Sequence, residues 1–505
     1  MKKIAFAVFA VWIVGASSAA REKPAPVKNV IVMIPDGTSI GVVSAARWYK
    51  LYRGWGEALN MDPYVCGSVK TFCSNAPIGD SAPTMSCYMT GITQRAKNIS
   101  IYPVPDPKHD LLYSHDGSRA FQPQVTLPEA ARIVQNKATG LVFTCEFPHA
   151  TPAACAAHDP DRNKFDRIAL QMAHNGLNVL FGGGNRHLTE DIKAHLNDSQ
   201  TKLIQKDVKA FRNEETSGNL WALFSDDIIP YDLDRDDAQY PSLEEMTRKA
   251  IEILSKAENG FFLMVEGSLV DYAAHSNDAA ACLTEFLAFD RAVGAALDFA
   301  RREGNTAVVV LPDHGNSGFT VGKRGCKAST MTLDDLFKDI SRVRKTAYGL
   351  AGILQRTSPD SIRTVFHQHT GIDLADNEYR SLLATLHTTE ANYMEAGNTL
   401  NLSHSIVRII NDRNCFGFTS GSHTGEEVFL AAYHPKGDLP LGVHSNVELH
   451  RYLYDIMNLP LSMEALSDSI FAKHTDVFRG LCFEVKDVKP FPVLVVTSGK
   501  NTLEI

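Results

Sequence analysis

Residues 29–37 read NVIVMIPDG, a mostly apolar run that ends in a Pro-Asp-Gly turn. A short apolar run that is rich in β-branched residues and is closed by a turn is typical of a buried strand. The pattern returns at residues 306–315, TAVVVLPDHG, where Asp313 and His314 follow the apolar run. Both segments therefore predict a buried strand whose C-terminal end carries polar side chains into a turn.

Further apolar runs predict more strands, and segments with helical patterns separate them. The strands are expected at residues 65–72, 140–145, 179–181, 261–265 and 428–433, and the helices at 41–52, 165–175, 243–256, 275–301 and 446–457. Alternating strands and helices predict an α/β fold with a large, mostly parallel central sheet and helices on both faces. Residues 323–412 are more charged and lack clear buried strands, which predicts an inserted helical subdomain.

The composition and the first twenty residues restrict where the protein acts. The chain has 505 residues, a formal net charge of −8 and no long basic run, which argues against a nucleic-acid partner. Lys2 and Lys3 precede an apolar run at residues 4–14 and small residues at 15–20. That run is too short to span a bilayer and is typical of a cleaved signal peptide. We expect an exported mature chain, residues 21–505, in the periplasm or secreted, with no stable membrane insertion.

The chain contains nine cysteines. Export permits disulfides, and an odd number leaves at least one cysteine without a partner in the same chain. Their spacing includes no CxxC metal pattern and does not determine which cysteines pair.

Four of the predicted strands are followed by side chains that can bind a cation. They are Asp36, Glu266, Asp313 with His314, and, beyond the fourth strand, His149 and Thr151. Ligands of parallel α/β sheets bind beyond the carboxyl ends of the strands, so we expect these side chains to converge. Imidazole and carboxylate groups suit zinc, whereas Asp36, Glu266 and the Thr151 hydroxyl offer the hard oxygens that suit magnesium.

Two later segments add candidate zinc ligands. Asp271 and His275 are four residues apart at the start of a predicted helix, so both side chains lie on one helix face. His423 lies in the segment Gly421-Ser422-His423-Thr424-Gly425, where small neighbours allow close access.

The segment IGDSAPTMSCYMTG, residues 78–91, places Ser81 at the start of a predicted helix. Ser81 there is either an ordinary helix cap or a nucleophile that faces the anion-binding end of the helix. A serine nucleophile needs a base or a metal, and the strand-end ligands offer two cations that could clamp an in-line displacement. Arg162, in the segment His158-Asp159-Pro160-Asp161-Arg162, could hold phosphoryl oxygens.

Together these motifs resemble those of the alkaline phosphatases. The matching segments are IVMIPDG at residues 31–37, Asp80-Ser81-Ala82, His149-Ala150-Thr151 with Arg162, Val265-Glu266-Gly267 with Asp271 and His275, Pro312-Asp313-His314, and His423-Thr424-Gly425-Glu426. The resemblance implies one zinc at Asp271, His275 and His423, a second at Asp36, Asp313 and His314 beside Ser81, and magnesium at Asp36, Thr151 and Glu266. It further implies hydrolysis of small phosphate monoesters through a phosphoserine on Ser81, with Arg162 bound to the phosphoryl oxygens. Members of the family are commonly homodimers, and the sequence leaves the oligomeric state of this chain open.

The resemblance is incomplete at two positions, and other functions remain open. Bacterial members often have Asp and Lys where this chain has His149 and Tyr272, and Asp80 is expected to orient Arg162. A sulfatase would need Arg where Met85 stands, and a phosphodiesterase of the same superfamily commonly uses Thr as nucleophile and lacks the arginine. An inactive exported binding protein with this fold would be indicated by the loss of a ligand, and no predicted ligand is missing.

Overall fold

The computed structural model describes residues 23–215, 218–388, 401–486 and 493–505, so the predicted signal peptide lies outside the described residues. The strands are β1 (Asn29–Pro35), β2 (Val65–Lys70), β3 (Ala138–Glu146), β4 (Val179–Gly183), β5 (Lys202–Gln205), β6 (Leu220–Leu223), β7 (Phe261–Gly267), β8 (Thr306–Val310), β9 (Gly315–Asn316), β10 (Thr320–Val321), β11 (Phe416–Gly417), β12 (His423–Thr424), β13 (Val428–Tyr433), β14 (Gly442–Ser445), β15 (Cys482–Lys486), β16 (Val493–Ser498) and β17 (Asn501–Glu504).

The helices are α1 (Ile40–Tyr52), α2 (Ser81–Thr90), α3 (Leu127–Gln135), α4 (Ala150–Ala156), α5 (Phe165–His174), α6 (Glu190–Asp198), α7 (Val208–Arg212), α8 (Leu243–Leu254), α9 (Leu269–His275), α10 (Ala279–Glu303), α11 (Leu333–Phe337), α12 (Ala347–Leu354), α13 (Ile362–Thr370), α14 (Asp376–Thr385), α15 (Leu402–Asn411), α16 (Asn446–Met457), α17 (Met463–Ile470) and α18 (His474–Val477). Among the described residues, no helix combines the length and the apolarity that are needed to cross a membrane.

Ten of the described strands form one sheet, in the order β14-β2-β13-β8-β1-β7-β3-β4-β6-β5. Both pairs that include β13 are antiparallel, and the other neighbouring pairs are parallel. Every residue of β1, β7 and β8 is buried, because a parallel strand in the centre of the sheet is covered on both faces. The four strands with polar ends, β8, β1, β7 and β3, are consecutive in the sheet, so their carboxyl ends lie side by side.

Two groups of helices cover this sheet. Helix α10 packs on both α1 and α8, and α8 and α10 pack on the central strands, while α2, α3, α4 and α16 form the second group. In α8, Leu243, Met246, Ala250 and Leu254 are buried at spacings of three and four residues, which places them on one face. The predicted architecture, a mostly parallel sheet between helices, is the one that the structure has.

The prediction of one long helix over residues 275–301 is wrong at its N-terminal end. The chain forms the short helix α9, which ends at His275, and the long helix α10, which starts at Ala279. Between them, Asn277 has a left-handed backbone conformation, with φ of 55°, and the Asp278 side chain caps α10 by accepting a hydrogen bond from Ala281 N. Asp271 and His275 therefore share α9 and not the long helix.

The described residues between 323 and 412 form helices α11–α15 and contain no strand. A disulfide joins Cys326 to Cys415, and the other seven cysteines are free. Next to this disulfide, β10 pairs with β11, and β9 pairs with β12 further along the same two chain segments. These two short pairings form a ribbon, residues 315–321 with 416–424, that connects the disulfide to the region of His314 and His423. The C-terminal sheet of β15, β16 and β17 is separate from the large sheet.

Candidate active site

The structure brings the predicted site residues together at the carboxyl edge of the four central strands. Asp36 follows β1, Glu266 lies near the end of β7, Asp313 and His314 follow β8, and Thr151 lies on α4 after β3. These five residues have no solvent exposure, and Ser81, Asp271 and His275 are at most 3% exposed. Buried ionisable side chains in such numbers need compensation by partners or by bound ions.

Ser81 is the first residue of α2, a helix in which all ten residues are buried. Its Oγ lies 3.2 Å from His314 Nε2 and 3.5 Å from Asp36 Oδ1. Asp80 is in the N-cap position, but its side chain makes no capping hydrogen bond and instead contacts Arg162. The arrangement is therefore not that of an ordinary Asp-Ser helix cap, since the hydroxyl points at candidate metal ligands.

Asp271, His275 and His423 form a first group of candidate ligands. His275 Nε2 lies 3.1 Å from His423 Nε2 and 3.4 Å from Asp271 Oδ2, and His423 Nε2 lies 3.8 Å from Asp271 Oδ1. The Nδ1 atom of His275 is 2.9 Å from the Gly421 carbonyl, and that of His423 is 3.0 Å from the Gly79 carbonyl. An Nδ1 beside a carbonyl carries the proton, so in the neutral form of the two rings both Nε2 atoms present lone pairs to each other. A cation between them removes that repulsion.

Asp36, Asp313 and His314 form a second group. His314 Nε2 lies 3.4 Å from Asp36 Oδ1 and 3.5 Å from Asp313 Oδ2, and its Nδ1 is 3.1 Å from the Gly315 carbonyl. Gly37 N and His314 N donate hydrogen bonds to Asp313 Oδ1. Gly37 has φ of +55°, and a Cβ there would lie 2.0 Å from Asp271 Oδ1, so this turn requires glycine.

The carboxylates of the site repel one another. Burial, and then the charges of Asp313 and Asp271, raise the pKa of Asp36 well above its usual range. Burial, followed by the charge of Asp313, raises the pKa of Glu266 to about 8. Buried acids with raised pKa values ionise when a divalent cation is bound among them, so the electrostatics of the site fit cations.

A third group contains Asp36, Thr151 and Glu266, the residues that the sequence predicts as magnesium ligands. Asp36 Oδ2, Thr151 Oγ1 and Glu266 Oε1 are buried and have no hydrogen-bond partner among the described residues. An orphaned buried polar atom costs about 1–3 kcal/mol, so three at one place indicate a missing ligand. Three hard oxygen donors fit a cation at this position.

Arg162 contacts Asp80, the residue before the candidate nucleophile Ser81. Its Nη1 donates a hydrogen bond to Asp80 Oδ1, and its Nη2 lies 3.1 Å from His149 Nε2. Burial opposes ionisation of Asp80, but the charge of Arg162 outweighs it and lowers the Asp80 pKa below the usual range. Burial and the same guanidinium lower the pKa of His149 to about 3, so His149 is neutral. Tyr272 packs edge-on against the His149 ring, with ring centroids 5.8 Å apart.

Comparison with known proteins gives the family. The model of the alkaline phosphatase family matches residues 27–459. The chain belongs to the alkaline phosphatase family. Among relatives, alkaline phosphatase 3 of Bacillus subtilis is 30% identical over 478 residues, which cover 90% of this chain and 95% of that protein. The repressible alkaline phosphatase of Saccharomyces cerevisiae is 28% identical over 513 residues, which cover 89% and 85%.

Solved alkaline phosphatases share the fold. The Thermus thermophilus enzyme aligns with a TM-score of 0.74 at 23% identity and covers 90% of this chain and 98% of its own. A variant of the enzyme from the Antarctic bacterium TAB5, solved with Mg bound in the M3 site, aligns with a TM-score of 0.59 at 23% identity and covers 86% and 99%. The predicted fold class is confirmed, and so is the prediction that this chain is an alkaline phosphatase enzyme, a phosphoric monoester hydrolase.

Three features of this alkaline phosphatase site were not predicted. Asn316 is fully buried and its Nδ2 donates hydrogen bonds to Asp271 Oδ1 at 2.6 Å and to Asp271 O at 3.3 Å. Cys145 donates a hydrogen bond from Sγ to Glu266 Oε2 at 3.5 Å. The backbone carbonyls that orient the imidazoles come from Gly79, Gly315 and Gly421. The position of Asn316, two residues after His314, could have suggested it from the sequence, and so could that of Cys145, four residues before His149. The backbone carbonyls could not have been found from the sequence.

Proposed function

We propose that this chain hydrolyses small phosphate monoesters with Ser81 as the nucleophile, with two zinc ions and a magnesium ion as cofactors. The observation that carries this proposal is the place of Ser81 Oγ, within 3.5 Å of both His314 Nε2 and Asp36 Oδ1 at the N-terminus of a buried helix. A hydroxyl there faces candidate zinc ligands and the free N–H groups of the helix, which attract an anionic substrate.

The three ligand groups would hold the cofactors. Asp271, His275 and His423 would hold one zinc, Asp36, Asp313 and His314 the other, and Asp36, Thr151 and Glu266 magnesium. The facing imidazole lone pairs and the orphaned oxygens described above support this assignment. When bound, the cations would supply the positive charge that ionises a serine hydroxyl and stabilises a leaving oxygen.

In this proposal two side chains, Ser81 and Arg162, act directly on the substrate. Ser81 Oγ forms a bond to phosphorus as the ester oxygen leaves, and hydrolysis of the phosphoserine then releases phosphate and restores the serine. Arg162 has five N–H donors, so it can hold non-bridging phosphoryl oxygens while one nitrogen stays on Asp80. A guanidinium placed for two non-bridging oxygens favours doubly charged monoesters over diesters.

We also propose that the chain is exported after removal of residues 1–20. The charged start, the short apolar run and the small residues before position 21 support this proposal. N-terminal sequencing of the protein from the culture medium or the periplasm would test it, since an N-terminus other than residue 21 or retention in the cytoplasm would contradict it.

Hydrolysis of p-nitrophenyl phosphate by the purified mature chain tests the catalytic proposal. We expect activity that EDTA abolishes and that zinc with magnesium restores, and we expect Ser81→Ala to be inactive. Ser86→Ala, a buried serine on the same helix, is the matched control and should remain active. Activity that resists chelation, or full activity of Ser81→Ala, would disprove the mechanism. Faster hydrolysis of bis-p-nitrophenyl phosphate would favour the diesterase alternative, and no activity on either ester would favour the binding protein.

A further inference from the structure

Cys145 is a fully buried thiol that the mechanism above does not use, and it lies against the third ligand group. It follows Thr144 near the end of β3, and its Sγ is 3.5 Å from Glu266 Oε2. Glu266 Oε1 has no hydrogen-bond partner among the described residues. One ligand atom from each of Cys145, His149 and Glu266 lies within 4.8 Å of the others. A sulfur and a nitrogen donor therefore adjoin Glu266, a residue that the sequence assigns to a site of oxygen ligands alone.

The position of the thiol is fixed by the strand ends around it. Ser268 Oγ accepts hydrogen bonds from Thr144 N at 3.2 Å and from Cys145 N at 3.1 Å. Ser268 N in turn donates to Thr144 Oγ1 at 3.1 Å. These bonds tie the end of β3 to the end of β7, so Cys145 and Glu266 are held facing each other. A thiol held in this way beside a carboxylate is a prearranged pair of donors.

Cys145 Sγ and Glu266 Oε2 are joined by a hydrogen bond, and their separation also fits a zinc ion shared by the two atoms. With Zn–S of about 2.3 Å, Zn–O of about 2.0 Å and a tetrahedral angle, the sulfur and oxygen of two ligands are about 3.5 Å apart. The observed separation of Cys145 Sγ and Glu266 Oε2 is 3.5 Å. Mg²⁺ prefers oxygen ligands, whereas Zn²⁺ and Co²⁺ bind thiolate sulfur strongly.

We propose that Cys145 Sγ is an additional ligand of the third cation site and that it lets a thiophilic ion, Zn²⁺ or Co²⁺, displace Mg²⁺ there. When the metal–sulfur bond forms, the S–H bond breaks and its proton is released to solvent. Asp36, Thr151 and Glu266 keep their roles as oxygen ligands for either ion. The inference rests on the proposed function only in assuming that a third cation binds at these residues.

Cobalt binding to the metal-free mature chain tests this inference by a signal other than activity. The two zinc sites offer only nitrogen and oxygen ligands, so a sulfur-to-cobalt charge-transfer band in the near ultraviolet would report the third site alone. In the native chain we expect the intensity of the band to correspond to one cobalt–thiolate site per chain. In Cys145→Ser we expect no band. Cys155→Ser, a buried thiol near Thr151, and Cys482→Ser, an exposed one, are the matched controls and should keep the band.

Metal competition gives the second readout. With zinc and magnesium both in excess, we expect three zinc ions per native chain, and two zinc ions and one magnesium per Cys145→Ser chain. X-ray absorption at the zinc edge of the native chain should show a sulfur neighbour. This measurement needs no variant, so it remains informative if Cys145→Ser does not fold.

A cobalt form without the band, a band that persists in Cys145→Ser, or a native zinc form without sulfur would each overturn the inference. Hydrolysis of p-nitrophenyl phosphate by the same samples separates the two proposals, because an active three-metal enzyme without the sulfur signal refutes the Cys145 assignment alone.

Discussion

Removing the Cys326–Cys415 disulfide should lower both the stability of the protein and its affinity for the proposed zinc ions. The bridged residues are 89 positions apart in the chain. Closing a loop of that length removes about 4.6 kcal/mol of unfolded-chain entropy in the chain-entropy model. An unfolding entropy of about 2.1 cal/mol/K per residue gives about 1 kcal/mol/K for a chain of this size. We therefore expect Cys326→Ser with Cys415→Ser to lower the unfolding temperature by about 4 °C.

The effect on zinc follows from the ribbon that the disulfide closes. Cys415 O accepts hydrogen bonds from Gly322 N and Lys323 N, and Ser317 N donates to Ser422 O further along. At the end of the ribbon, His423 pairs with Asn316, two residues after His314. Without the disulfide, the segments that carry His314 and His423 lose the cross-link between them, so the proposed zinc should dissociate faster.

Calorimetry in excess zinc and a chelator challenge measure the two effects. The double variant should unfold about 4 °C lower and transfer zinc to the chelator several-fold faster than the native chain. Cys482→Ser removes an exposed free cysteine and should change neither value. An unchanged unfolding temperature together with unchanged zinc release would refute the view that the disulfide supports the ribbon.

Three other substitutions test separate parts of the site and the fold. Asn316→Ala removes the donor to Asp271 Oδ1 and should weaken zinc binding by about 10–100-fold in a chelator competition, as expected when the partner of a metal ligand is lost; unchanged affinity would contradict this role. Asp80→Asn should raise KM and the inhibition constant for phosphate more than it lowers kcat, because Asp80 holds Arg162, and complete loss of turnover with intact metals would refute that view. Glu285→Gln should raise the unfolding temperature at pH 8 but not at pH 5, and an equal shift at both pH values would be inconsistent with its raised pKa.

The sign of the Glu285 prediction follows from linkage. Burial, and then the charge of Asp232, raise the pKa of Glu285 from 4.5 to about 8. The folded state therefore keeps a proton that the unfolded chain has already lost, and native stability falls as the pH rises from about 4.5 towards 8. The slope approaches about 1.4 kcal/mol per pH unit between these values. A neutral glutamine removes this loss.

The centre of the fold and the positions that converge in the candidate site could be predicted because both leave strong local patterns. Buried parallel strands such as β1 and β8 must be apolar along their length, so the polar residues that follow them stand out. The rule that ligands bind beyond the carboxyl ends of parallel strands then brings distant positions together.

Features that depend on tertiary contacts could not be predicted in this way. The break before α10 requires a left-handed Asn277, which the apolar spacing of a helix does not reveal. The four-residue strands β5 and β6 are too short for a clear pattern, and nine cysteines allow too many pairings to identify Cys326 with Cys415. Asn316 acts through a hydrogen bond to Asp271, 45 residues away in the chain.

The chemistry assigned to Ser81 can be observed as a covalent adduct. The zinc- and magnesium-loaded mature chain would be mixed with excess p-nitrophenyl phosphate at mildly acidic pH, quenched in acid within milliseconds to seconds, and digested for mass spectrometry. We expect phosphate on Ser81 and on no other residue, with an amount that follows the fraction of metal-loaded enzyme. A turning-over enzyme that never carries phosphate on Ser81, or that carries it on another side chain, would contradict the proposed mechanism.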